Sequence, residues 1–190
     1  MLEQKKIRYP YCTSIYIFNR VLFPIWLRET AMIKSKIQLL SLEDVHSLIG
    51  GSMAHSQLNC ADYLLPAVVL QAALDAHARG TDWFWCAPRL FVDGNTGQTL
   101  GTASFMATDH AGIVEIGYGT AREFQGMGVA SRGIAQMLAQ AQAYDCAKCY
   151  MAKTASNNIA SQRVLEKNGF IPCGKDIDLE DGELVLWNRK

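Results

Sequence analysis

Two glycines stand between a strand-like run and a helix-like run at residues 125–130, and this segment constrains the fold more than any other. Residues 113–118 precede it and a long helical pattern follows it. Glycines at such a junction let a ligand approach the backbone, because no Cβ stands in the way. The helix that follows presents unpaired N–H groups and the positive end of its dipole. The pattern therefore predicts a phosphate-binding loop beside a strand edge.

The length and charge of the chain limit its domain organisation and the kinds of partner it can have. A chain of 190 residues is long enough for one compact domain with its own core. Lysine plus arginine equals aspartate plus glutamate, so the formal net charge is zero. A neutral chain gives no broad electrostatic attraction to nucleic acid or to an anionic membrane. We therefore expect neither as a partner.

The cysteines are scattered and show no regular spacing. Only Cys146 and Cys149 form a Cys-x-x-Cys pair, where a helix gives way to a strand. We expect the cysteines to be free thiols acting as small apolar residues, which fits a reducing cytoplasm. A redox role is the alternative, and it requires these two sulfurs to be close and accessible.

Residues 1–33 differ from the rest of the chain. Three basic residues precede a partly apolar run at 9–27, which Pro10, Asn19, Arg20 and Pro24 interrupt. The run is too broken to span a bilayer, which needs about 20 mainly apolar residues, and no small-residue cleavage site follows it. We interpret 1–33 as an N-terminal extension and 34–190 as a single domain. A packed arm or a membrane-surface segment is the alternative.

The first third of the domain carries two helix signatures. Residues 37–40 form a strand pattern, and Ser41 with Asp44 then resembles a capping box for a helix that runs to about Ile49. Pro66 begins a second helix with apolar residues at helical spacing, and Gly80 closes it. A hairpin of 83–92 and 100–107 and a further strand at 113–119 then predict an antiparallel meander.

After the glycines the pattern alternates between helix and strand. Apolar residues at helical spacing predict a helix over 130–141, followed by a strand at 149–152, which makes a parallel crossover. A helix over 158–168 ends at Gly169. Strands at 170–173 and 183–187 complete the chain, joined by an acidic turn at 176–182.

Two common phosphate-binding folds do not fit this order. A dinucleotide-binding loop normally follows the first strand of a βαβ unit, whereas this loop follows a meander and precedes a single crossover. A P-loop requires Gly-Lys-Ser or Gly-Lys-Thr at its end, and that sequence is missing here.

The motifs match a different family. Gln125-x-x-Gly128-x-Ala130 is preceded by Glu115-Ile116-Gly117-Tyr118 and followed by Asn158-x-x-Ser161 and Glu166-Lys167-Asn168-Gly169-Phe170. The run 112–174 resembles the GNAT superfamily of N-acetyltransferases, in the branch typified by the ribosomal-protein N-terminal (RimJ/RimL-like) enzymes. A weaker resemblance extends back to about residue 37.

This resemblance implies a mixed α/β fold of the GNAT type: a mostly antiparallel sheet of about seven strands with about four helices, splayed between the fourth and fifth strands. It implies acetyl-CoA as cosubstrate, held in the splay, and no metal. Asn158 is expected to hydrogen-bond the pantetheine arm. The arm is expected along Ile116, Gly117 and Tyr118. The pyrophosphate is expected on the backbone N–H groups of Gln125, Gly126, Met127, Gly128, Val129 and Ala130.

Catalysis, on the same resemblance, is direct attack of an amine on the thioester in a ternary complex. Glu115 is the expected general base, and a surface carboxylate is its alternative interpretation. Many members carry a tyrosine seven residues after the asparagine, which protonates the leaving thiolate; here that position is Leu165. Ser161 and Tyr118 remain as possible proton donors.

Other side chains give weaker signals. Trp83 and Trp85 would share one side of a strand and form a wall of the acceptor pocket, although core packing explains them equally well. His55 and Tyr63 lie in the variable helical region and are further possible substrate contacts. The four histidines show no metal-ligand spacing.

The sequence leaves the acceptor open between a protein N-terminal amine and a small amine. A non-catalytic acyl-CoA-binding module on the same fold is the alternative to an enzyme. Nothing in the sequence fixes the oligomeric state.

Overall fold

A seven-stranded mixed sheet runs through the protein. The computed structural model describes residues 34–107, 112–144, 147–179 and 182–190. The strands are β1 (Ser35–Leu39), β2 (Arg89–Asp93), β3 (Thr99–Ala107), β4 (Ile113–Thr120), β5 (Cys149–Ala155), β6 (Ile171–Asp178) and β7 (Gly182–Arg189). The helices are α1 (Leu42–Ile49), α2 (Ala67–Ala78), α3 (Trp83–Cys86), α4 (Val129–Gln142) and α5 (Ile159–Lys167). The predicted fold class is confirmed.

Local sequence signals set most of the helix ends. The Ser41 hydroxyl accepts from the backbone N–H of Asp44, and the Asp44 carboxylate accepts from the N–H of Ser41, so the predicted capping box is present. Helix α1 then ends at Gly50. Helix α2 begins directly after Pro66, as predicted, and Asn158 caps α5 through its side chain.

The prediction of a strand from residue 83 was wrong. Residues Trp83–Cys86 form one helical turn, and β2 begins only at Arg89. The Asp82 carboxylate accepts from the N–H of Phe84 and so caps this turn. A short, continuously apolar run has no periodicity that separates helix from strand, so its pattern alone could not identify this turn. The acidic turn predicted at 176–182 is also shorter, because β6 continues to Asp178.

Helices pack on both faces of the sheet. On one face α4 and α5 pack with strand residues such as Phe91, Ile116 and Trp187. On the other face α1 and α2 pack with Leu90 and with the loop residue Leu64. The core on each side therefore draws on alternate residues of β2, as strand geometry requires.

The strand order is β1-β2-β3-β4-β5-β7-β6, and every neighbouring pair is antiparallel except β4 and β5. These two run parallel because α4 crosses over between them. They pair only over Ile113–Cys149, Val114–Tyr150 and Glu115–Met151, and then separate. This separation is the predicted splay.

Some sequence predictions fall outside the described residues. These are the N-terminal extension 1–33, most of the turn before β4 with His110, Cys146 of the Cys-x-x-Cys pair, and residues 180–181 of the β6–β7 turn. Within the described ranges, no helix is both long and apolar enough to cross a membrane.

Candidate functional site

The gap between β4 and β5 offers an unpaired strand edge. Strand β4 stays paired with β3 as far as Thr120, but within the described residues its other edge has no strand partner after Glu115. Strand β5 pairs with β7 as far as Ala155. The backbone of residues 116–120 therefore faces the gap on one side. An extended ligand with amide groups can pair with such an edge as an additional strand.

The glycine loop lies at the open end of this gap and leads directly into α4. Gly126 and Gly128 have φ angles of +76° and +73°, in the left-handed region where glycine is strongly favoured. Gly128 is the N-cap of α4, and no side chain caps that helix. The first-turn N–H groups of Val129 and Ala130 therefore have no partner within the helix. They are available to an anion.

Arg132 adds a positive charge to this loop. Its guanidinium Nη2 donates to the carbonyl oxygen of Met127 at 3.1 Å. A Cβ added to Gly128 would lie 2.9 Å from its Nη1. Arg132 was not among the predicted site residues, although its position one turn into α4, four residues after Gly128, is a visible signal for a side chain that folds back over the helix start.

Asn158, Ser161 and Tyr118 meet where α5 approaches β4. The Asn158 side-chain oxygen accepts from the N–H of Ser161 at 3.1 Å, so it serves as a helix cap. The Tyr118 hydroxyl donates to the carbonyl oxygen of Ser161 at 3.0 Å. Burial raises the pKa of Tyr118 to about 12, so its phenol is neutral at ordinary pH. These contacts bring together three of the predicted site residues.

Glu115 lies on the sheet face opposite α4, at the last paired position of β4. Ile116 and Tyr118 pack in the α4 core cluster, so the alternation of the strand directs Glu115 and Gly117 to the other face. The Glu115 side chain is 26% exposed, and its Oε2 lies 3.9 Å from Nζ of Lys153 on β5. A carboxylate and an ammonium therefore face each other across the closed end of the gap. Sequence reasoning did not identify Lys153.

The position of the missing tyrosine is filled by a core residue. Leu165 is fully buried in the core cluster that contains Phe170 and Trp187. It has no polar atom to offer and does not reach the open face of the sheet. A proton donor therefore has to come from another element.

The prediction that Trp83 and Trp85 share one face was wrong. Because residues 83–86 are helical, the two indoles enter different cores. The Trp83 Nε1 donates to the carbonyl oxygen of Leu40 at 2.9 Å, and its ring packs on the α1–α2 side. Trp85 packs against the Phe105 ring on the α4 side, with ring centroids 5.1 Å apart. Core packing explains both side chains.

The other two candidate substrate contacts make bonds within the protein. The His55 Nε2 lies 2.9 Å from the carbonyl oxygen of Leu65, and its Nδ1 lies 3.7 Å from the Asp62 carboxylate. The Tyr63 hydroxyl oxygen accepts from the N–H of Arg122 at 3.0 Å. The His55 contacts lie within the segment between α1 and α2, and the Tyr63 contact ties that segment to the residues after β4. Among the described residues, no group of three His, Cys, Asp or Glu side chains is arranged to bind a metal ion.

Together these features fit coenzyme A. The uncapped helix start and the two positive-φ glycines suit a pyrophosphate. The free edge of β4 suits the amide groups of pantetheine. Glu115 and Lys153 stand at the closed end of the gap, where the thioester of an acyl-CoA would lie if its arm followed that edge.

Comparison with solved structures finds the same fold. The ribosomal-protein-S5-alanine acetyltransferase from Vibrio fischeri shares 18% identity at a TM-score of 0.58, covering 82% of this chain and 92% of that one. The ribosomal L7/L12 α-N-protein acetyltransferase RimL, solved in complex with coenzyme A, shares 18% identity at a TM-score of 0.58, covering 83% and 95%. A spermidine N-acetyltransferase chimera from Vibrio cholerae and hSSAT shares 14% identity at a TM-score of 0.58, covering 81% and 93%.

No curated protein sequence matches the chain. The family comparison does: the acetyltransferase (GNAT) domain matches residues 37–171, which is more than half of the chain. This range includes the loop, the splay and helix α5. The chain therefore belongs to the GNAT family of acetyl-CoA-dependent N-acetyltransferases.

Proposed function

We propose that this protein transfers the acetyl group of acetyl-CoA to the N-terminal amine of a polypeptide, by direct attack within a ternary complex. The observation that carries the proposal is the position of Glu115, on the open sheet face at the closed end of the β4–β5 gap. A carboxylate there can take a proton from an amine that approaches the thioester from that face. This position also favours catalysis over a module that only binds acyl-CoA.

The exposure of the residues around Glu115 supports a polypeptide acceptor. Met106, which pairs with Glu115 across β3 and β4, is 43% exposed, and the Lys153 side chain is 41% exposed. This face is open enough for an extended chain end to reach Glu115. Two of the similar structures carry names of ribosomal-protein acetyltransferases, which agrees with this acceptor. A third is named for spermidine, so a small amine is the competing acceptor.

The coenzyme would be held by residues from three elements. The backbone N–H groups of Gln125, Gly126, Met127, Gly128, Val129 and Ala130 would bind the pyrophosphate, and the guanidinium of Arg132 would add charge. Ile116, Gly117 and Tyr118 would pair with the pantetheine arm. Asn158 would donate from its side-chain NH₂, because its oxygen already caps α5.

The test is acetyl-CoA consumption measured against three acceptor sets. These are peptides with free N-termini, the same peptides blocked at the N-terminus but containing lysine, and polyamines. We expect turnover with the first set, and a loss of about 100-fold in kcat for Glu115→Gln. Glu166→Gln, at an exposed position on α5, removes the same charge and should keep full activity.

Three outcomes would change the proposal. Binding of CoA without turnover on any acceptor would contradict the enzymatic function. Preference for polyamines would replace the polypeptide acceptor with a small one. Full activity of Glu115→Gln would exclude Glu115 as the base and leave the transferase assignment in place.

A further inference from the structure

The leaving CoA thiolate requires a proton, and the two donors expected from the sequence, Ser161 and Tyr118, lie away from Glu115. Ser161 is on helix α5, which packs on the α4 side of the sheet. Leu165 stands where many family members have a tyrosine, and it is fully buried. The Tyr118 hydroxyl already donates to the Ser161 carbonyl, and its ring belongs to the α4 side of the sheet. None of these groups faces the open side on which Glu115 lies.

Lys153 does lie on that side, at the edge of the gap. Strands β4 and β5 are paired in parallel as far as Glu115 and Met151, so Lys153 is two residues beyond the last paired residue of β5. Had the pairing continued, its partner across the gap would be Gly117. Gly117 belongs to the edge that we propose for the pantetheine arm. The Lys153 ammonium is therefore next to the expected path of the thioester sulfur.

We propose that Lys153 is the proton donor to the departing CoA thiolate, an inference that rests on the proposed acetyl transfer at this site. The acceptor ammonium first gives a proton to the Glu115 carboxylate. The free amine nitrogen then bonds to the thioester carbon and loses its second proton, the carbon–sulfur bond breaks, and its electron pair leaves with the sulfur. Lys153 gives one proton to that sulfur. The products are the acetamide and CoA as the thiol.

The spacing of the pair explains how the site returns to its starting state. At 3.9 Å, the Glu115 oxygen and the Lys153 nitrogen are farther apart than a hydrogen bond, so each keeps hydrogen-bonding capacity for a substrate group that lies beside the pair. After transfer, the proton held by the Glu115 carboxyl passes to the neutral Lys153 amine when the pair closes. The second proton of the acceptor nitrogen goes to water. Charge and protons balance over the cycle.

A binding measurement tests this role without knowledge of the acceptor. The ultraviolet absorption of the CoA thiolate would be followed against pH on the purified protein, with a CoA analogue that lacks the sulfur as reference. A nearby ammonium stabilises the thiolate, so we expect the acid dissociation constant of bound CoA to be about tenfold higher in the wild type than in Lys153→Met. Lys175→Met is the matched control, because Lys175 pairs with Glu183 on β6 and β7, away from the gap.

Kinetic measurements then distinguish proton donation by Lys153 from stabilisation of the thiolate by its positive charge alone. Lys153→Met should lower kcat about 100-fold with little change in the KM for acetyl-CoA. Lys153→Arg keeps the charge but cannot give up a proton in a protein, so it should retain the thiolate shift while kcat stays low. Melting temperatures close to the wild type would show that both variants are folded, as expected at an exposed position.

The outcomes are distinct. Equal thiol dissociation in wild type and Lys153→Met, or full recovery of kcat in Lys153→Arg, would overturn the proposal for Lys153 and leave the acetyl transfer intact. Failure of the wild type to bind CoA at all would overturn the proposed site together with this inference.

Discussion

The Tyr118 hydroxyl and the Ser161 carbonyl oxygen are 3.0 Å apart, and their hydrogen bond ties strand β4 to helix α5. Beyond Glu115, β4 and β5 no longer pair, so this bond helps to hold the two halves of the splayed sheet in register on the α4 side. The width of the gap therefore depends on a side-chain contact as well as on the strands.

Removing this bond should weaken the fold, with a characteristic pH dependence. Tyr118→Phe should lose about 1 kcal/mol of unfolding free energy near neutral pH. Burial raises the pKa of Tyr118 from 10.0 to about 12, so the neutral phenol stabilises the fold below pH 10 and that contribution is lost as pH rises towards 12. Urea unfolding of both proteins should show a difference that shrinks above pH 10. A difference that stays constant with pH would contradict this account.

The loop glycines can be tested with a matched pair of substitutions. Gly126 and Gly97 have φ angles of +76° and +72°, and a Cβ added to either would meet no atom within 4 Å. Gly126→Ala and Gly97→Ala should therefore cost a similar amount, about 1 kcal/mol, in unfolding free energy. Calorimetric titration should show roughly tenfold weaker CoA binding for Gly126→Ala only. Equal loss of binding in both would indicate a general effect on stability instead.

Arg89 is fully buried with its guanidinium against two neighbouring aromatic rings, 4.7 Å from the Phe84 centroid and 4.6 Å from that of Phe105. It donates to the carbonyl oxygens of Phe84 and Ala87, and so fixes α3 to the start of β2. Burial lowers its pKa to about 10, which still leaves it charged at neutral pH.

Lysine cannot reproduce this planar arrangement. Arg89→Lys should lose about 2 kcal/mol of unfolding free energy, because stacking and at least one hydrogen bond are lost. Arg79→Lys, at an exposed position after α2, should change it by less than about 0.5 kcal/mol. Thermal unfolding of the two variants measures the contrast. If Arg89→Lys left the unfolding free energy unchanged, the guanidinium geometry would contribute nothing to stability.

Thiol reactivity should follow burial. Cys60 is buried and its pKa is raised to about 11 by that burial, and burial also raises the pKa of Cys86. Cys173 on β6 is exposed. Iodoacetamide near pH 8, with peptide mapping by mass spectrometry, should label Cys173 in the folded protein and the other two only after unfolding. Rapid labelling of Cys60 in the native protein would show that its surroundings open readily.

The sequence predicted those elements whose signals are local. The capping pair Ser41 and Asp44, the glycines of the loop and the apolar spacing of α4 each act within a few residues, so they can be read along the chain. The prediction of a strand from Trp83 was wrong for the converse reason. Its apolar run is compatible with helix and strand, and the contacts that select the helix involve Leu40 and Phe105, far away in sequence.

The candidate site also has parts that the sequence predicts and parts that depend on the tertiary structure. Sequence by itself determined the glycine loop, the meander before it and the family, because these rest on short spacings that carry a fixed backbone requirement. Only the tertiary structure decided where β4 and β5 separate, and hence that Glu115 faces Lys153 across the closed end of the gap. Register between strands joined by a helical crossover depends on how that helix packs. No residue-to-residue spacing along the chain encodes it, so the pairing of an acid with a base at this gap became visible only in the folded protein.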